Sequence, residues 1–246
     1  MLIRRWSIIA VLLTVFFVGC DGISDLVSID ADKLLELSTS AASAPADGAT
    51  RVTLTAKIPE ASDLYDREIA FTTNMGTFVG GDVDLDDPDN NKKTITVPVA
   101  IDGKAYADLT SSTSRGNARV QAVWGDAAKT VQVNFSTAYP QYLDLSTDLA
   151  VLSVSGLDQA EITVHARRNQ GVASEGTRVL FSVADRDGIQ RGIFQNVMTT
   201  DANGYAKATY FPGDTRYRGF VTITATFRNP NDGKEIKGQL KIDIIG

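Results

Sequence analysis

The side chains that could carry chemistry are scarce in this sequence. Cys20 is its only cysteine and His165 its only histidine. A Ser–His–Asp triad would need that one histidine beside a positioned nucleophile, and no local motif supplies one. His165 lies between Val164 and Ala166, where apolar and polar residues alternate, on the parity opposite to Ile162 and Val164. A strand sends alternate side chains to opposite faces, so His165 is expected to face solvent. Carboxylates are plentiful, but no spacing marks two of them as an acid–base pair. No glycine-rich phosphate loop and no zinc-ligand spacing is present. The inventory points away from an enzyme.

One acidic stretch merits a metal test. Gly80 and Gly81 precede Asp82, Asp84 and Asp86, whose spacing is similar to the start of an EF-hand calcium loop. Asp87 stands where that loop needs glycine, and Lys93 where it needs its bidentate glutamate. Both decisive positions fail. Asp82, Asp84 and Asp86 are therefore read as a solvated acidic loop, with no tight calcium site and no other cofactor expected.

Cys20 has a different chemistry in prospect. Arg4 and Arg5 form a basic segment, Trp6 to Val18 is uncharged and mostly apolar, and Val18-Gly19-Cys20 ends the run. That order is the layout of a secretory signal. It also resembles a bacterial lipoprotein signal. The resemblance implies cleavage before Cys20, a diacylglycerol on its thiol and an acyl chain on the freed amine. A helix of 13 residues spans roughly 20 Å, short of the roughly 30 Å hydrocarbon core, which disfavours an uncleaved anchor. Residues 1–19 are thus expected to be a signal peptide and residues 20–31 a lipidated tether. The protein would then sit in the bacterial cell envelope, membrane-anchored through its lipid.

The formal charge of the whole chain is −6, and losing Arg4 and Arg5 makes the remainder more acidic. Nothing clusters Lys or Arg to replace phosphate counterions, so nucleic acid is not expected as a partner. With Cys20 lipidated no disulfide can form within the chain, and the core must hold by packing.

The remaining chain repeats itself. Val52, Leu54 and Ala56 alternate with polar residues, as do Ile162, Val164 and Ala166. Ile69-Ala70-Phe71 matches Val179-Leu180-Phe181, and Gly76-Thr77-Phe78 matches Gly192-Ile193-Phe194. Asp102-Gly103 and Asn203-Gly204 are favoured tight-turn pairs, each followed by two alanines of one parity. Ala118, Val120, Ala122 and Trp124 match Val221, Ile223, Ala225 and Phe227. Short alternating strands separated by Gly, Asn, Asp and Ser indicate antiparallel sandwiches. The expected fold is all-β: one sandwich over residues 32–137 and a second over 138–246. The brief junction, stiffened by Pro140, suggests two sandwiches end to end with limited bending.

Several of these motifs carry a family resemblance. Ala44-Pro45-Ala46-Asp47-Gly48, the run Phe71 to Phe78, Asp102-Gly103-Lys104-Ala105 and Leu109-Thr110-Ser111-Ser112 resemble the bacterial immunoglobulin-like domain of the invasin and intimin type. The second half is similar but looser, keeping Gly192-Ile193-Phe194 and Thr200 to Ala206. The resemblance implies two tandem immunoglobulin-like β-sandwiches in a surface or envelope setting, where such domains are often spacers.

Differences between the copies mark candidate sites. The span Gly76 to Gly103 is more than twice that from Gly192 to Gly204 and holds the acidic loop. The second copy has its own insertion, Asp185-Arg186-Asp187-Gly188, which reads as an extended hairpin. It is also the richer in aromatics. Tyr205, Tyr210, Phe211, Arg216, Tyr217 and Arg218 are the candidate partner contacts, since aromatics and arginines suit protein interfaces. Core packing is the competing reading, because strands are normally enriched in aromatics. The expected function is a lipid-anchored, non-catalytic spacer or protein-binding module. Its partner would be an envelope or surface protein. The alternatives are a glycan-binding surface lipoprotein and an accessory subunit of an envelope assembly.

Overall fold

The computed structural model describes residues 34–59, 67–83, 86, 91–154, 158–195, 199–213 and 216–246. The signal, Cys20 and the whole tether lie outside the described residues, as does Asp84. The chain is nearly all β, as the alternation predicts.

Nine strands form the first sandwich: β1 (Glu36–Thr39), β2 (Ser43–Pro45), β3 (Arg51–Lys57), β4 (Glu68–Thr73), β5 (Thr77–Phe78), β6 (Thr94–Pro98), β7 (Lys104–Thr110), β8 (Gly116–Trp124) and β9 (Ala127–Ser136). They make one sheet in the order β1-β3-β7-β5 and a facing sheet in the order β2-β9-β8-β4-β6. Eight more form the second: β10 (Tyr142–Thr147), β11 (Val151–Ser153), β12 (Ala160–Arg167), β13 (Leu180–Asp185), β14 (Ile193–Gln195), β15 (Tyr205–Phe211), β16 (Gly219–Arg228) and β17 (Glu235–Ile245). Their sheets run β10-β12-β15-β14 and β11-β17-β16-β13. Pairing is antiparallel except for β2 with β9 and β11 with β17, which are parallel.

Alternation sets the cores. Phe71, Phe78, Phe135 and Leu54 are fully buried in the first sandwich, and Tyr210, Ile162 and Ile223 in the second. Gly76 and Gly192 hold corresponding places, with φ of 74° and 86°. A Cβ on Gly76 would lie 2.4 Å from the Thr110 carbonyl oxygen, and one on Gly192 2.0 Å from that of Phe211. Both positions therefore require glycine, on grounds of backbone conformation and of space.

One expected correspondence shifts. Ala56 faces Ala105 across β3 and β7, whereas Val164 faces Ala206 across β12 and β15. The Ile58 amide donates to Gly103 O just as the Ala166 amide donates to Gly204 O. The counterpart of Ala56 is therefore Val164, and that of Leu54 is Ile162. The sequence alignment of this strand is off by two residues. A slip of one residue turns every side chain to the other face, but a slip of two preserves the face, so alternation cannot detect it. The other matches hold: Phe71 faces Ala122 as Phe181 faces Ala225.

The sandwiches meet through the 168–176 loop. The Val172 amide donates to Asp47 O (3.0 Å), the Ser174 amide to Ala138 O (2.9 Å) and the Glu175 amide to Thr113 O (3.0 Å). Ser174 Oγ donates to Ala46 O (2.8 Å) and accepts from the Ala138 amide (2.8 Å). Asp47 is 2 % exposed. Its carboxylate accepts from the Ala49 amide, the Thr50 amide and hydroxyl, and the Ser111 hydroxyl, at 2.7–3.0 Å. Arg168 Nε lies 3.8 Å from the same group. Pro140 is thus one part of a junction that hydrogen bonds largely define.

Candidate functional site

At the end of the second sandwich remote from this junction, the insertion forms a closed hairpin. The Asp185 carboxylate accepts from the Asp187 and Ile189 amides and from Arg191 Nε, each at 2.9 Å. Burial alone would push this carboxyl up. The hydrogen bonds from Ile189, Arg191 and Asp187, with the Arg191 charge, outweigh it and hold the carboxyl below its ordinary value. The Arg191 guanidinium lies over the Tyr217 ring, 4.6 Å from its centre. Tyr217 Oη donates to Phe220 O (2.8 Å), and Tyr210 Oη to Arg191 O (2.9 Å). Hairpin and aromatic strand ends are thereby fixed to one another.

The six candidate contacts separate. Tyr210 is 0 % exposed and belongs to the core, so it is not a partner contact. Burial, with Tyr217 nearby, pushes its phenol up to about 12. The parity it shares with Ala206 and Ala208 carries that signal. Phe211 and Tyr217 are half-buried, while Arg216 and Arg218 are exposed near Tyr217. Tyr205 is not with them. It begins β15, so about 20 Å of strand separates it from Phe211. There it stacks on His165, with ring centres 4.4 Å apart. His165 does point away from the core, and the tyrosine half-covers it.

Sequence reasoning passes over the most exposed apolar positions of this end. Phe220 pairs with Asp243, and Asp243 with Val151, so the three lie in one row across β16, β17 and β11. Their neighbours Val221, Ile244 and Leu152 are buried, which turns the row outward. Phe220 is 61 % exposed, Val151 49 % and Ile245, on the same face, 48 %. Ile189 in the hairpin and Ile193 beside it are also exposed. The register of the first sandwich supplies a control. Asn117 follows Gly116 as Phe220 follows Gly219, Ser43 pairs with Asn134 as Val151 pairs with Asp243, and Ser136 occupies the place of Ile245. The fold accepts Ser, Asn and Ser at these places. The second sandwich puts Val, Phe and Ile there. The signal in sequence is an apolar residue at a position of outward parity.

In the acidic loop, Asp82 and Asp86 are exposed. The Lys93 ammonium donates to Gly76 O, and its partial burial lowers its pKa. Lys93 thus fastens the loop to the first sandwich. Among the described residues, no group of three or more His, Cys, Asp or Glu side chains is placed to hold a metal.

No protein-family model matches the chain, and a search of curated proteins found no match. Solved structures do match. Invasin, described as a bacterial integrin-binding protein, is similar with a TM-score of 0.56 and 20 % identity, over 85 % of this chain and 39 % of invasin. The adhesin InvE of Yersinia pseudotuberculosis is similar with a TM-score of 0.45 and 19 % identity, over 86 % of this chain and 59 % of InvE. FdeC, an Escherichia coli adhesin, has a TM-score of 0.36 and 18 % identity, over 86 % of this chain and 64 % of FdeC. The chain thus spans less than two thirds of each. The invasin match shows the fold, tandem immunoglobulin-like sandwiches of the kind that the sequence motifs resemble.

Proposed function

We propose that this chain is a non-catalytic, adhesion-like protein-binding module of the bacterial cell envelope, held to a membrane by a lipid on Cys20. The contact face is the outer surface around Val151, Phe220 and Ile245. One observation carries this reading: the three positions are polar in one sandwich and apolar in the other, though the fold imposes neither. Exposed apolar side chains on either side of Asp243, with the exposed Arg218 close in sequence to Phe220, suit a protein surface that is part apolar and part charged. The nearby Asp185–Arg191–Tyr217 arrangement keeps that surface rigid, which lowers the entropic cost of binding.

A photo-crosslinking residue at position 220, in cells producing the full chain, tests the contact. A discrete crosslinked protein is expected. It should disappear when Val151 and Ile245 are both changed to serine. Crosslinking unaffected by those changes would remove the assignment. The tether is tested separately. Cys20→Ala is expected to move the protein from the membrane to the soluble fraction, since stable anchoring takes more than one acyl chain. Unchanged membrane retention would overturn it.

A second reading has its own observation. The exposed Tyr205 ring, backed by the His165 ring stacked on it, offers an aromatic face to a sugar, as a glycan-binding lipoprotein would need. Glycan-array binding lost in Tyr205→Ala and retained in Phe220→Asn would favour it over the protein contact.

A further inference from the structure

A cavity of about 490 Å³ opens where the sandwiches meet. Its walls come from four separate segments. Arg115 precedes β8 of the first sandwich, Tyr139 lies in the connection, and Arg178, Leu180, Arg228 and Pro230 belong to the second sandwich. Tyr139 packs against Phe227 with ring centres 5.5 Å apart, and Leu180 is half exposed, so the lining between the charged groups is apolar. All three arginines are exposed. Among the described residues none of them forms a salt bridge. Glu175, also on the wall, accepts from the Ser114 hydroxyl at 2.6 Å. Arg228 lies in the field of Glu235, but that carboxylate is hydrogen-bonded by Lys237 at 2.8 Å.

Three guanidinium groups around one apolar cavity are an anomaly in a chain whose formal charge is −6. Exposed arginines on an acidic protein would ordinarily find carboxylates. We infer that this cavity is a binding site for an acidic peptide segment carrying an apolar side chain. The apolar side chain seats against Tyr139, Leu180 and Pro230, and flanking carboxylates meet the arginines. The charge supports this choice. Guanidinium groups fork onto carboxylates through paired N–H donors, and the fit is geometric as well as electrostatic. The volume falls in the range that holds a few side chains. Three arginines are too few for nucleic acid, whose affinity depends on many phosphate contacts. The site is complete only while the junction keeps Arg115 and Arg178 on one cavity, so the hydrogen bonds of the 168–176 loop position it. It is separate from the Val151–Phe220–Ile245 surface and stands or falls independently of that proposal.

Fluorescence anisotropy with the full chain tests it. The probe is a labelled five-residue peptide of four aspartates around a central phenylalanine. Saturable binding is expected, weakened about tenfold or more in Arg178→Ala and again in the double variant with Arg228→Ala. Leu180→Ser should weaken it as well. Arg186→Ala, in the distant hairpin, should leave it unchanged. These side chains are exposed, so the variants fold, and a thermal melt verifies that. Four outcomes overturn the inference: no saturable binding, equal affinity in the double arginine variant, equal affinity for a peptide with serine in place of phenylalanine, or displacement by inorganic phosphate as effective as by unlabelled peptide. The last two would mean a site for anions alone.

Discussion

The two sandwiches finish the same end of the same fold differently. In the first, that end carries Asp47, Ser111 and Thr113 and meets the 168–176 loop through directed hydrogen bonds. In the second, the corresponding end carries an ordered hairpin and the exposed Val151, Phe220 and Ile245. Each contact is specified in its own way. A neighbour in the same chain arrives in a fixed register, so polar groups can be matched one to one. Such groups are costly if left unpaired, which suits a junction that is always made. Apolar surface is non-directional and tolerates exposure better, which suits a partner that comes and goes.

This contrast can be broken by mutation. Removing the buried carboxylate at the junction should have the largest effect on stability. Asp47→Ala leaves four donors without their acceptor and Arg168 without its counter-charge, and is expected to cost about 3 kcal/mol in urea unfolding of the full chain. A cost below about 0.5 kcal/mol, the ordinary range of surface changes, would show that the junction does not depend on Asp47. Gly171→Ala comes next. Its φ is 72°, and a Cβ there would lie 2.2 Å from the Asp47 carbonyl oxygen. The expected cost is about 2 kcal/mol, with calorimetric unfolding broadening toward two transitions as the sandwiches uncouple. A single unaltered transition would contradict the tight approach.

At the other end the effects are smaller. Asp185 has its carboxyl pKa held below the ordinary value, so its stabilisation is present above about pH 3.9, the unfolded value, and is lost as pH falls through the lower folded one. Hydrogen exchange of the Asp187 and Ile189 amides should rise in that acid window relative to the trend of the other strands. In Asp185→Asn this acid-dependent step should be missing. The smallest effect on stability is expected for Val151→Ser, Phe220→Asn and Ile245→Ser combined, which copies the first sandwich onto the second. The change should stay within about 0.5 kcal/mol, the usual range for exposed positions. The proposed partner binding should nonetheless be lost. A large destabilisation instead would mean that the patch serves the fold.

Much of this architecture is legible in the order of the residues. Alternation in Val52 to Ala56 and Val221 to Phe227 gives the inward faces, and Gly103 and Gly204 mark the turns. The correspondence of β3 with β12 is not legible to the last pair of residues, because a shift of two leaves every face unchanged. The burial of Tyr210 is within reach of the pattern, since its parity is that of Ala206 and Ala208, while aromatic content alone argues for a surface role. The roles of Asp47 and Arg115 are out of reach for a different reason. Asp47 meets Arg168 and Val172, and Arg115 shares a cavity with Arg178 and Arg228, only once two independent cores have docked. Local pattern carries no information about such docking.

The short parallel pairs have a mechanical consequence. β2 lies beside β9, the last strand of its sandwich, and β11 beside β17, the last of the other. Suppose the chain is gripped on its N-terminal side and pulled from beyond β17. Tension then enters each pair through one strand and leaves through the other. Because the strands run in the same direction, those attachment points lie at opposite ends of the pair. The load is therefore a shear shared by all its hydrogen bonds at once. An antiparallel pair gripped at adjacent ends would instead unzip, one bond after another. Extraction of β2 or β11 under force is accordingly resisted by several bonds acting together, once the tension has passed β1 or β10.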